Sequence, residues 1–273
     1  MDIAKVNGVE LEVEVVGSGE PVLLISPVLA DGFLPLLSEP ELAGRYQLIR
    51  YHKRGWAGST HTVPPVSVAD HVSDAMALLD HLGVRRAHIA GHSSGAAVAA
   101  QLALNHPEIV HTLMLLELTL LSVPSGEAAF QQLGPAFEAY GSGDHEGAVA
   151  LFMSGVSGLD WATCRALLDE RVPGTVIQTI KDADTFFGIE IPAVGAWAFG
   201  AEQAADIDCP VLSVLGANTE PLWVDVAEFL RSSIPRVEEC TIEGVGHLLQ
   251  IQRPEPVARA MAEFLARNPM SGN

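Results

Sequence analysis

Gly91-His92-Ser93-Ser94-Gly95 lies between the apolar run Ala87-His88-Ile89-Ala90 and a stretch of helical composition, Ser94 to His106, with Pro107 just beyond its end. A chain that turns this sharply from strand to helix presses its backbone against its neighbours two residues before and two residues after the apex. Only glycine has no side chain to clash there. The apex residue is Ser93, so its hydroxyl is expected to stand free at the end of a strand as a nucleophile. Ser94 opens the helix. Its backbone N–H, aided by the positive helix end, should point to where negative charge develops on an attacked carbonyl oxygen.

Strand and helix patterns alternate around this unit, as a doubly wound sheet requires. Residues 9–16 alternate Leu11, Val13 and Val15 with Glu10, Glu12 and Glu14, a half-buried strand preceded by the hairpin turn Asn7-Gly8. Val22-Leu23-Leu24-Ile25 is apolar throughout, which suits a strand covered on both faces. Further strands are expected at Tyr46–Tyr51, Thr112–Leu116, Val211–Leu215 and Val237–Ile242. Ser67-Val68-Ala69-Asp70 has the form of a capping box for a helix that Gly83 stops, and later helices are expected near Leu222–Arg231 and Glu255–Ala266. Residues 120–206 break the rhythm, with amphipathic helical stretches at Phe130–Tyr140, His145–Met153 and Trp161–Glu170. The expectation is a core of residues 1–119 and 207–273 carrying a helical cap of residues 120–206.

The chain has 273 residues with 48% hydrophobic content, enough for one large core. Its formal charge of −19 repels phosphate backbones and anionic lipid surfaces, so neither nucleic acid nor a membrane is an expected partner. Met1-Asp2-Ile3-Ala4-Lys5 leads into no apolar segment, and no later run approaches the ~18 apolar residues of a membrane span. A cytoplasmic location follows as the expectation. Cys164, Cys209 and Cys240 are odd in number, widely spaced and without metal-ligand spacing, which reads as buried reduced thiols. His145-Glu146 lacks the second histidine of a zinc-protease helix, and neither a phosphate-binding loop nor a dinucleotide glycine fingerprint is present. No metal or cofactor is expected.

The elbow, the N-terminal hairpin, a cap after the sixth strand and the late Gly244-Val245-Gly246-His247-Leu248 together resemble the α/β-hydrolase superfamily over nearly the whole chain. That resemblance implies an eight-stranded, mostly parallel sheet with a helical cap inserted after strand six. It also implies that His247, in the loop between the final strand and the final helix, is the general base. His92, adjacent to Ser93 on the turn, points away and is read as packing or pocket lining. The family's second oxyanion donor follows a His-Gly pair after the third strand. Here the pair is Ser26-Pro27, proline has no N–H, and the donor is expected to be Val28, beside Leu29. The family's Asp-x-Arg-Gly-x-Gly-x-Ser appears as His52-Lys53-Arg54-Gly55-Trp56-Ala57-Gly58-Ser59, read as a structural turn.

A general-base histidine needs a carboxylate to fix its tautomer. Family members usually place an aspartate three residues after the glycine that ends strand seven, and Thr219 occupies that slot in Gly216-Ala217-Asn218-Thr219-Glu220. Glu220 and Asp225 are substitutes. Glu117 is the preferred acid, because it ends the apolar run Leu113–Leu116 and so emerges at the C-terminal edge of the sheet beside the elbow. Its position after strand six is similar to that in zearalenone-type lactone hydrolases and in cofactor-independent ring-cleaving dioxygenases. The cap rings Phe152, Trp161, Phe186, Phe187, Trp197 and Phe199, together with Trp223, offer an apolar roof, and no Arg or Lys cluster suggests an anion clamp. The expected substrate is therefore a small, neutral, hydrophobic ester or lactone, cleaved through an acyl-enzyme by a Ser-His-Glu triad. The alternatives are a ring-cleaving dioxygenase and a slow-turnover ligand receptor. Oligomeric state is not legible.

Overall fold

The computed structural model describes residues 1–270. Eight strands form one sheet: β1 (Asp2–Val6), β2 (Val9–Val16), β3 (Glu20–Ile25), β4 (Tyr46–Tyr51), β5 (Ala87–His92), β6 (Val110–Leu116), β7 (Val211–Gly216) and β8 (Val237–Ile242). Their spatial order is β1-β2-β4-β3-β5-β6-β7-β8. The first two pairings, β1 with β2 and β2 with β4, are antiparallel, and every later one is parallel. This is the expected eight-stranded, mostly parallel α/β sheet with a helical insertion after strand six.

The alternation in β2 has the predicted sense at its centre, since Leu11 and Val13 are buried, whereas Val15 is exposed near the strand's end. The central strands β3, β5 and β6 are buried almost throughout because helices cover both sheet faces. One apolar cluster lies on each side of the sheet. The Ser67 capping box forms as read: the Ser67 hydroxyl accepts from the Asp70 N–H at 3.2 Å, and the Asp70 carboxylate accepts from the Ser67 N–H at 2.8 Å.

Between β6 and β7 the chain is helical but more broken than the amphipathic pattern suggested. The stretch read as Phe130–Tyr140 is two helices, Gly126–Gln132 and Gly134–Gly141, because Pro135 removes a donor and restarts the helix at its first turn. Beyond the helices His145–Ser157 and Trp161–Arg171 lies a run with no clear amphipathic signal: Thr175–Lys181, a π-helical turn at Phe186–Glu190, and Ile191–Gly195. The three cysteines are free thiols. Cys164 is buried, but Cys209 and Cys240 are only partly so, which corrects the expectation for those two. Among the described residues, no helix is long and apolar enough to cross a membrane.

Candidate active site

β5 runs through the middle of the sheet, between β3 and β6, so the turn after it opens at the centre of the sheet's C-terminal edge. Ser93 occupies that turn with φ 55° and ψ −121°, immediately before the helix Ser94–Asn105. The flanking glycines are required by close approach. A Cβ on Gly91 would stand 2.4 Å from the Gly95 carbonyl oxygen, and one on Gly95 would stand 2.2 Å from the carbonyl oxygen of Ile25. Both obstacles are backbone and cannot swing aside. Replacement of Gly95 by alanine is therefore expected to destabilise the fold by roughly 2 kcal/mol or more, read as a lower Tm together with loss of any reactivity at Ser93. An unchanged Tm would show that the turn is looser than described.

β6 delivers a carboxylate. Glu117 follows its last residue with φ 44°, so Ser93 and Glu117 are two of the four non-glycine residues with positive φ among those described. Such backbone costs about 1–3 kcal/mol at each position and persists where surrounding structure enforces it. β8 and the loop after it deliver His247. The three side chains form one hydrogen-bonded chain: His247 Nε2 lies 3.0 Å from Ser93 Oγ, and His247 Nδ1 lies 2.6 Å from Glu117 Oε2. Glu117 also accepts from the Gly216 N–H at 2.8 Å and from the Thr219 hydroxyl at 2.9 Å. Thr219, in the slot where an aspartate was looked for, thus supports the carboxylate supplied by the neighbouring strand.

Glu220 makes no hydrogen bond to His247 among the described residues; it precedes the helix Pro221–Ser233 without a side-chain capping bond and lines the cavity described below. Asp225 accepts from the Ser125 N–H at 3.0 Å, at the start of the inserted helices. Neither competes with Glu117 for the imidazole.

His92 is fully engaged elsewhere. Its Nε2–H donates to the His247 carbonyl at 2.8 Å and its Nδ1 accepts from the Gln250 amide at 2.8 Å, which braces the loop carrying His247. Burial drives both imidazoles down to about 3, so each stands neutral. Trp223 adds to the cover over His247, stacked on it with ring centroids 3.7 Å apart. Burial also pushes Glu117 up to about 7, against the opposing Gly216 and Thr219 bonds. A neutral imidazole with its Nδ1–H on a carboxylate presents a lone pair at Nε2, which is what a base acting on Ser93 needs.

The Ser94 amide opens its helix, where a backbone N–H has no intrahelical acceptor. Val28 follows Pro27 in the loop after β3, and both face the cavity beside Ser93. That cavity measures about 220 Å³ and its wall includes Leu29, Leu133, Phe152, Met153, Val156 and Trp223. Phe130, on its rim, is 43% exposed.

Five expected lining residues are corrected. Trp161, Phe186, Phe187, Trp197 and Phe199 are not in the cavity wall. Phe186 is buried between Phe152, Phe187 and Trp56, and Phe187 stacks on Phe186 and Tyr140, so these rings hold the inserted helices together. Trp197 stacks on Phe199 and donates to Gln101 at 2.8 Å, while Trp161 begins a helix and packs against the core. An aromatic residue can fill either the wall or the interior of a helical layer, and sequence spacing did not separate the two.

Sequence reasoning also missed a buried charge cluster behind the elbow. Lys53, from the loop after β4, pairs with Glu190 of the π-helical turn, and His71 lies 3.6 Å from the same carboxylate. Burial opposes the charge on Glu190, but Lys53, His71 and Ser94 together outweigh it and hold the carboxyl below its ordinary range. Alongside it, Arg54 makes a two-pronged bond to Asp74, each contact 2.6 Å. The turn read as structural therefore also anchors the inserted helices to the sheet.

The geometry agrees with what the chain is similar to. Over 115 residues it is 32% identical to a protein from Azorhizobium caulinodans named "Putative carbamate hydrolase RutD", covering 42% of this chain and 43% of that one. The match thus spans less than half the length of that curated relative. In three dimensions it is similar to an enol-lactonase from Burkholderia xenovorans LB400, with TM-score 0.79, 18% identity and coverage of 97% of this chain and 100% of that one. It is also similar to Est816, described as an N-acyl homoserine lactone degrading enzyme, with TM-score 0.71, 25% identity and coverage of 96% and 100%. A family model described as alpha/beta hydrolase fold matches residues 28–254, and with most of its length matched the chain belongs to that family.

Proposed function

We propose that this chain is a serine hydrolase of small, neutral, apolar carboxylic esters or lactones. Ser93 attacks the carbonyl carbon as its proton passes to His247 Nε2, and Glu117 holds the imidazole and balances its charge. The carbonyl electron pair moves onto oxygen, where the Val28 and Ser94 amides receive it. Collapse expels the alcohol oxygen, which takes the proton from His247; water then repeats the sequence on the acyl-enzyme. Residues 1–119 and 207–273 act as the catalytic core and residues 120–206 as the cap over the substrate.

The carrying observation is the unbroken hydrogen-bonded chain Ser93–His247–Glu117 opening onto an apolar cavity. The cavity wall holds no Arg or Lys, and its only ionisable groups besides the histidines belong to Glu220, so an anionic substrate would go unpaired. The lactone- and carbamate-cleaving names of the similar proteins fit the same attack on a carbonyl.

The test is a panel of p-nitrophenyl acetate, butyrate and octanoate, unsubstituted γ- and δ-lactones, a phenyl carbamate, and an ester bearing a free carboxylate. Multiple turnover is expected on neutral esters or lactones, with kcat/KM at least about tenfold above the carboxylate-bearing ester. Failure to turn over any neutral ester or lactone would contradict the proposal.

The acid limb of the pH profile follows from Glu117. Below about pH 7 its carboxyl takes a proton. It then donates to His247 Nδ1 and forces the other tautomer, with Nε2–H facing Ser93, and the base is lost. The expected outcome is a kcat/KM that falls with the uptake of one proton as pH drops through about 7. A profile flat from pH 8 to about 5 would count against this assignment.

A further inference from the structure

We infer that Thr119 is a further catalytic residue, whose hydroxyl donates a hydrogen bond to the attacking oxygen of Ser93. The inference rests on the reading of Ser93 as nucleophile. Thr119 Oγ1 lies 3.1 Å from Ser93 Oγ, and the Thr119 side chain is part of the cavity wall. A backbone bond from the Thr119 N–H to the Ser93 carbonyl, at 3.3 Å, keeps the two residues in register.

The direction of the bond follows by elimination. Ionised Glu117 only accepts, so His247 Nδ1 donates to it and Nε2 is left with a lone pair. The Ser93 O–H donates to that lone pair. With its one proton spent, Ser93 Oγ can only accept from Thr119. The order is therefore Thr119 O–H to Ser93 O–H to His247, and then Nδ1–H to Glu117.

This order gives Thr119 a role that changes along the reaction. As Ser93 Oγ loses its proton to His247 and forms the bond to the carbonyl carbon, negative charge passes through Oγ, and a donated hydrogen bond is strongest there. No proton leaves Thr119. In the acyl-enzyme, Oγ is an ester oxygen and a poor acceptor, so the bond from Thr119 weakens once the acyl group is transferred and its effect falls on acylation.

The test needs no knowledge of the natural substrate. The second-order rate of Ser93 labelling by an alkyl fluorophosphonate is measured for the wild type, Thr119→Val and Thr119→Ser. The burst and steady-state rates on p-nitrophenyl butyrate are measured beside it. Thr119→Val keeps the shape and removes the hydroxyl, and with it the donor. It is expected to slow both labelling and the burst about 10- to 100-fold with little change in KM, and Thr119→Ser is expected to recover to within about threefold of wild type. Wild-type labelling by Thr119→Val would overturn the inference. So would a Thr119→Ser variant as slow as Thr119→Val, since that would mark the threonine methyl, and hence packing, as the cause. If wild type itself is not labelled at Ser93, the reading of Ser93 fails, a result distinct from failure of Thr119 alone.

Discussion

Glu117→Ala is expected to lower kcat by about 10³- to 10⁴-fold while leaving KM within a few-fold of wild type, because a triad acid acts on the transition state rather than on substrate binding. The structural ground is that Glu117 alone, among the described carboxylates, bonds to His247. Glu220→Ala is expected to retain near wild-type kcat; a dead Glu220→Ala beside an active Glu117→Ala would reverse the assignment. Glu117→Gln, which keeps the shape and an acceptor oxygen, separates the expected effect from loss of folding, because the buried charge on Glu117 is costly to the fold. Its folded-state carboxyl is raised by burial to about 7, so the stability it contributes is complete below its unfolded value and is lost as pH rises through about 7. Glu117→Gln should therefore match wild type in stability near pH 4 and exceed it at pH 8, by on the order of 3 kcal/mol of unfolding free energy, read as a higher Tm. An inactive variant that is more heat-stable at pH 8 than its parent is the expected signature.

Glu190→Ala is the second large effect, and it acts on stability. Glu190 and Lys53 are 1% and 2% exposed and bonded to one another. Removing one partner of a buried ion pair costs about 3–5 kcal/mol, because the remaining charge has neither water nor a counter-ion. In a chain of this size that corresponds to a Tm lower by about 10 °C. The pH dependence carries the diagnosis. Burial pulls Lys53 down, and without Glu190 nothing on the cap opposes it. A depressed lysine contributes stability that is lost as pH falls, so the Tm deficit of Glu190→Ala should be greater at pH 6 than at pH 9. Thermal scans of Glu190→Ala and wild type across that range provide the check. A deficit below about 1 kcal/mol, the value of an exposed pair, would show that the cluster is open to water.

The strands of the sheet were legible because those buried on both faces read as apolar runs, and the sharp turn at Ser93 was legible because only glycine fits at positions 91 and 95. The contact of Glu117 with His247 was legible on physical grounds: a carboxylate ending a buried strand must find a partner. The hydrogen bonds of Thr119 and Thr219 were not legible, since a threonine carries no patterning signal and Thr119 is placed by the positive φ at Glu117. Glu190 was hidden because its partner lies 137 positions earlier in the chain and no local rule connects them. The cap aromatics failed for a geometric reason. Phe152 lines the cavity whereas Phe186 does not, although the two rings touch at a centroid distance of 4.7 Å. Which side of one stacked layer faces the void is a property of packing rather than of residue type.

The central claim is that Ser93 is a nucleophile activated by His247. The most direct measurement is reaction with a fluorophosphonate probe followed by peptide mapping, for wild type, Ser93→Ala and His247→Ala. The expected result is a single stoichiometric adduct on Ser93 in wild type, none in Ser93→Ala, and labelling slowed by about 10³-fold or more in His247→Ala. An adduct on any other residue, or equal labelling of wild type and Ser93→Ala, would contradict it.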